Sequence, residues 1–171
     1  PPVFIPNPPT FANYLDVFAK NDFGRYLWNS ILVTGGAVAI GLAVGVPAGY
    51  GIARGKATKF AILILVARMT PALSYLIPLF LLFQMTGLVG TITALVITHL
   101  VITIPIIVWI MIGYFENVPM ELEDAARIDG ATTWQAFRHV ALPLARPGIV
   151  VGGILAFIFS WNNFIFSVVL G

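Results

Sequence analysis

By length, 171 residues would make one soluble domain, but the composition excludes that class. Hydrophobic residues make up 59% and charged residues 9%, against about 45–50% and 25% in typical globular chains, and mean hydropathy is +0.96. The net charge of +2, scattered along the chain, excludes a nucleic-acid partner, and zero cysteines exclude a disulfide framework, a thiolate metal site and a Cys nucleophile. The sequence therefore reads as an all-α, multi-pass membrane protein.

The chain opens at Pro1-Pro2 with no basic start before an apolar run, so no signal peptide is expected. With an apolar stretch running almost to Gly171, it reads as a piece of a longer protein. Residues 1–25 form a polar, Pro-rich segment (Pro1, Pro2, Pro6, Pro8, Pro9), extended except for a short helix near residues 15–20.

A bilayer core about 30 Å thick needs about 20 mainly apolar residues. Four stretches qualify: span A at 26–53, span B at 60–83, span C at 92–115 and span D at 148–170. Span A carries Ala37, Gly41, Gly45 and Gly49 at four-residue spacing, a smooth stripe that lets helix backbones approach closely. Its expected use is packing within this chain, with a second subunit as the alternative. Pro47, Pro71, Pro78 and Pro105 lie inside spans and are expected to kink them.

Arg68 is the only formal charge within the spans, at a depth that allows snorkelling toward the headgroups or burial against a polar partner. His99 in span C could relay a proton, but is expected as a neutral imidazole hydrogen-bonded within the bundle. Lys and Arg fall on the A–B loop (Arg54, Lys56, Lys59) and the C–D connection (Arg127, Arg138, Arg146), with only Lys20 and Arg25 on the other side. The positive-inside rule then places both loops in the cytoplasm, and the N-terminal segment and B–C turn outside.

The C–D connection, residues 116–147, is much longer than the other internal loops and holds five of the seven carboxylates. It reads as two short helices. The first has Asn117 as cap, Pro119 in its first turn, Glu121, Glu123 and Asp124 near its positive end, and Gly130 as a left-handed stop. The second begins with Thr132 and Gln135 at capping-box spacing, shares Trp134, Phe137 and Ala141 on one face, and ends before Pro143.

Chemistry is otherwise sparse. The stretch Gly51-Ile52-Ala53-Arg54-Gly55-Lys56-Ala57 is too short for a phosphate loop and lacks its hydroxyl, so no nucleotide hydrolysis is expected of this chain. No carboxylate lies in a span, and His99 and His139 fall in different compartments, so neither a metal site nor a catalytic set is expected.

The wording of the loop is more specific. Asp124-Ala125-Ala126, three residues, Gly130, nine residues, then Val140-x-Leu142-Pro143 resembles the E-A-A-x3-G-x9-I-x-L-P loop of ABC importer permeases. The flanking Pro119-x-Glu121-Leu122-Glu123-Asp124-Ala125-Ala126-Arg127-Ile128-Asp129-Gly130-Ala131 and Leu142-Pro143-Leu144-x-Arg146-Pro147-Gly148 are similar to the carbohydrate, maltose-type branch. So are Trp161-Asn162-Asn163-Phe164 in span D and Phe23-Gly24-Arg25-Tyr26-x-x-Asn29-Ser30 before span A. Asp124 replaces the usual Glu, Val140 the usual Ile, and Asn163 the Glu of Trp-Asn-Glu-Phe.

The resemblance implies a type I ABC importer permease of the bacterial inner membrane. About six spans are usual in the family, so the first and last would be absent here. It implies a transport domain over 26–171 and a cytoplasmic coupling loop whose Glu123, Asp124, Ala125, Ala126, Arg127 and Gly130 dock on an ATPase subunit. Trp161, Asn162 and Asn163 become candidates for a sugar pathway, although Trp and Asn within a span also serve as helix glue. The implied partners are two ATPase subunits, which bind the ATP, a second permease subunit and an extracytoplasmic solute-binding protein. The chain itself would have no cofactor and no enzymatic activity. A permease for a non-sugar solute and a secondary carrier are the rivals; a carrier calls for intramembrane carboxylates or an inverted repeat.

Overall fold

The computed structural model describes residues 10–20 and 22–171; the Pro-rich stretch 1–9 lies outside the described residues. All regular structure there is helical. The elements in order are α1 (Ala12–Lys20), α2 (Phe23–Arg54), α3 (Thr58–Met69), α4 (Ala72–Thr86), α5 (Ile92–Glu116), α6 (Met120–Ile128), α7 (Thr133–Ala136), a π turn (Phe137–Ala141), α8 (Leu142–Leu144), α9 (Arg146–Trp161) and α10 (Ile165–Leu170). By length and apolarity α2 and α5 can each cross a membrane, and two bent helix pairs, α3 with α4 and the loop helices with α9, could supply two more spans.

The centre of the bundle is the α2–α5 pair. Val33, Ala37, Gly41, Gly45 and Gly49 are buried along one stripe of α2, and the glycines face Thr103, Ile107 and Met111 of α5. A Cβ on Gly45 would lie 2.8 Å from Ile107 Cγ2, and one on Gly49 would lie 2.7 Å from Met111 Cβ. The stripe thus packs within this chain, and the helices are as close as they are because those side chains are missing. Thr103 Oγ1 donates across the seam to Ala37 O at 3.3 Å.

Continuous with this seam, Val46, Ile107, Met111, Phe115, Phe137, Ala141, Ala145 and Ala156 form one core, which welds the second loop helix and α9 onto α2 and α5. A second cluster, Leu76, Phe83, Ala94, Phe166 and Leu170, holds α10 against α4 and α5. Outward-facing Phe60, Leu63, Val66, Leu73, Ile77, Val150, Ile154 and Phe157 are exposed, an apolar surface suited to lipid rather than water.

Spans B and D are not the continuous helices expected. Span B breaks at Thr70-Pro71, where α3 and α4 bend by 88°. Proline has no N–H to continue the ladder and drives the preceding residue out of the helical region; Thr70 is extended, with φ −66° and ψ 126°. Pro47, Pro78 and Pro105 stay inside their helices.

Span D ends its first helix at Trp161 and restarts at Ile165. The intervening asparagines compete for the backbone: Asn162 Nδ2 donates to Ile158 O at 2.8 Å, and Asn163 Oδ1 accepts from Phe166 N at 3.4 Å. Arg68, in the last turn of α3, is exposed beside the α3–α4 bend.

Candidate functional site

The loop between α5 and α9 takes its shape from local chemistry. The C-terminus of α6 is closed by a Schellman arrangement: Ala131 N donates to Ala126 O at 2.9 Å and Gly130 N to Arg127 O at 3.0 Å. Gly130 sits at φ +92°, where a side chain is strongly disfavoured. Next comes a complete capping box, in which Thr132 Oγ1 accepts from Gln135 N and Gln135 Oε1 accepts from Thr132 N. The second helix continues past its expected end, through the π turn and Pro143, to Leu144.

Asn117 does not cap α6. It ends α5, its Nδ2 donating back to Gly113 O at 2.7 Å, and Pro119 precedes the first turn of α6 instead. Trp134 keeps to the side of Phe137, with ring centroids 5.2 Å apart, but is itself exposed, while Phe137 and Ala141 are buried in the core.

The acidic residues of α6 divide by face. Asp124 is exposed and pairs loosely with Arg127 at 3.4 Å, an interaction worth at most about 1 kcal/mol at such a site. Ala125, Ile128 and Gly130 are exposed with it, and Ala126 is half-buried. Glu123 turns the other way and is 0% exposed. Its Oε1 accepts from Arg54 Nε at 2.8 Å, with Arg54 Nη2 at 2.6 Å, and its Oε2 accepts from Tyr50 Oη at 2.5 Å. Arg54 Nη2 also donates to Val118 O at 3.1 Å. Glu123 therefore does not lie on the exposed face where docking was expected of it: it is fully buried, with both carboxylate oxygens held from α2.

Arg54 reads in sequence as one more positive-inside charge, and Tyr50 carries no signal at all. Leu122 and Ile128 (87% exposed) of α6 and Trp134 of α7 add exposed apolar area to the loop.

A second constellation lies at the other end of α2. A cavity of about 420 Å³ is lined by Tyr26, Asn29, Ser30, Thr34, His99, Ser160, Trp161, Asn163 and Ser167, among others. Of the three span-D candidates, Trp161 and Asn163 line it. Asn162 does not, its amide being turned back onto Ile158 O. Trp161 stacks on Phe157 with ring centroids 5.4 Å apart. His99, 2% exposed, places Nδ1 2.7 Å from Ser160 Oγ, and Ser160 Oγ in turn donates to Thr34 Oγ1 at 3.4 Å. The ring is thus hydrogen-bonded within the bundle, while its Nε2 has no partner among the described residues. Those residues contain no cluster of side chains able to hold a metal.

A family model described as the binding-protein-dependent transport system inner membrane component matches residues 37–171. The sulfoquinovosyl glycerol transport system permease protein of Agrobacterium fabrum is 33% identical over 170 residues, covering 98% of this chain and 60% of that protein. The trehalose transport system permease protein of Mycobacterium tuberculosis is 36% identical over 170 residues, covering 97% and 62%. A bacterial ABC transporter involved in the import of the acidic polysaccharide alginate superposes with a TM-score of 0.67 at 28% identity, over 84% of this chain and 51% of that one. The chain thus spans about 60% of the length of these curated relatives. With a loop of this wording and an all-helical fold of this kind, it belongs to the binding-protein-dependent transport system inner membrane components, the permeases of ABC transporters.

Proposed function

We propose that the full protein containing this chain is the permease subunit of an ATP-driven, binding-protein-dependent sugar importer of the bacterial inner membrane. One observation carries the reading: α6, capped at Gly130, presents Asp124, Ala125 and the apolar Ile128 outward from the loop that joins α5 to α9. Small alanines permit close approach, Asp124 offers an anion to a basic residue, and Ile128 offers apolar area to a cleft. In this reading Asp124, Ala125, Ala126, Arg127 and Gly130 dock on a cytoplasmic ATPase subunit, which binds and hydrolyses the ATP. Its closure drives alternating access. A second permease subunit completes the pathway, and a solute-binding protein delivers from outside.

A sugar is favoured by relatives named for sulfoquinovosyl glycerol, trehalose and diacetylchitobiose, and by the hydroxyl, amide and imidazole groups of the cavity at the start of α2. His99 Nε2 and Asn163 suit hydroxyls, and Trp161 offers a face for a pyranose ring. The test is purification of the full-length protein with its neighbouring-gene ATPase and permease subunits, followed by uptake of labelled sugars into proteoliposomes with binding protein and ATP. A stable complex with ATP-dependent sugar uptake supports the reading. Failure of the ATPase subunit to co-purify, or uptake indifferent to ATP, overturns it.

A further inference from the structure

Helix α2 is a single unbroken element with a separate task at each end. Its first turns supply Tyr26, Asn29, Ser30 and Thr34 to the cavity wall. Its last two turns supply Tyr50 and Arg54 to the buried Glu123 of α6. The twenty residues from Thr34 to Arg54 span about 30 Å at the helical rise. Between these ends the glycine stripe seats α2 against α5 without room for a side chain at Gly45 or Gly49, so the rod is braced along its length.

The clamp on Glu123 is directional. Both carboxylate oxygens accept from α2, and the same Arg54 reaches Val118 O just before α6. Tyr50 is itself wedged against the Phe115 and Phe137 rings, 5.3 and 4.6 Å away, and Arg54 lies over the Tyr50 ring at 5.9 Å. A buried ion pair is a poor choice for stability alone, since apolar residues of similar volume serve as well or better. What it adds is a fixed geometry. Successive residues on a helix point about 100° apart, so α6 offers Asp124 outward while the neighbouring Glu123 is gripped from inside.

We propose that Arg54 and Glu123 are the positioning pair that makes α6 and α2 one rigid body, so that force applied to the exposed face of α6 moves the wall of the solute cavity about 30 Å away. The inference rests on the importer reading above and names the mechanical link within it. The pair touches neither solute nor nucleotide; it acts through α2.

The test uses the full-length protein assembled with its ATPase subunits and binding protein. In Glu123→Gln and Arg54→Gln, the ATPase subunit is retained on purification, but solute imported per ATP hydrolysed falls by about tenfold. Glu121→Gln, an exposed carboxylate on the same helix, keeps the wild-type ratio. A wild-type ratio in either pair variant with the ATPase subunit bound, or an equal fall in Glu121→Gln, overturns the proposal. A second measurement needs no disruptive variant: nitroxide labels on Gly51→Cys in α2, where an added side chain meets open space, and on Glu121→Cys in α6, both exposed, report the α2–α6 separation. The linked pair predicts a separation unchanged to within about 3 Å, half a helical turn, between nucleotide-free and ATP-trapped complexes; a larger change overturns it. Absence of transport in the wild-type complex is a failure of the importer reading, whereas the label separation judges the link alone.

Discussion

His99 of α5 and Ser160 of α9 meet at 2.7 Å inside the bundle, the only side-chain hydrogen bond between those two helices among the described residues. Ser160→Ala removes that partner and leaves a buried imidazole nitrogen unpaired beside the cavity. Interhelical hydrogen bonds in membranes average about 0.6 kcal/mol, so thermal unfolding of the purified full-length protein should shift down only slightly. Sugar uptake should suffer more, with KM raised, because the ring is no longer held toward the cavity. Uptake kinetics equal to wild type in Ser160→Ala would remove His99 from the pathway.

The glycine stripe predicts a sharp contrast over two residues. A methyl at Gly49 meets Met111 Cβ at 2.7 Å and the backbone of Val108 and Ile112 at 3.2 and 3.3 Å, whereas one at Gly51 meets open space. Gly49→Ala should therefore cost about 1–3 kcal/mol through overpacking. Gly51→Ala should be neutral or stabilising by up to about 1 kcal/mol, as expected for alanine in a helix. Melting temperatures and detergent-extracted yields of the two variants, measured side by side, check this. Equal behaviour means that the α2–α5 contact is looser than described.

At the proposed docking face, Gly130 has room for a side chain but not the backbone angle for one: nothing lies within 4 Å of an added Cβ, yet φ is +92°. Gly130→Val should distort the turn and weaken ATPase association, while Gly130→Asn, which tolerates left-handed angles better, should retain part of it. Asp124→Lys should place a cation where an anion is expected and cost up to several kcal/mol of association. Retention of the ATPase subunit on the purified complex is the readout, and wild-type retention with wild-type uptake in both Gly130→Val and Asp124→Lys would overturn the docking assignment.

Orientation can be read directly because the chain has no cysteine of its own. Single cysteines replacing Lys56, Thr86 and Thr133, all exposed, should divide by side: Lys56 and Thr133 labelled from the cytoplasm, Thr86 from outside. Labelling of the Thr133 site in intact cells with an impermeant reagent would invert the topology and detach the loop from any cytoplasmic ATPase.

Features written in neighbouring residues were legible from the sequence alone. The Thr132–Gln135 capping box, the left-handed stop at Gly130 and the small-residue stripe from Ala37 to Gly49 each depend on a spacing of a few residues, and such spacings carry their physics with them. The family wording of the loop is equally local. Tertiary structure alone decided the rest. Four prolines lie in apolar stretches, yet only Pro71 opens a sharp bend, because a helix kept in register by its neighbours can absorb a lost hydrogen bond. Adjacent carboxylates in α6 look interchangeable as letters, but Glu123 is captured by Arg54 from 69 residues away and Asp124 stays exposed. Which of two neighbouring acids faces in depends on where another helix ends, and no local pattern encodes that.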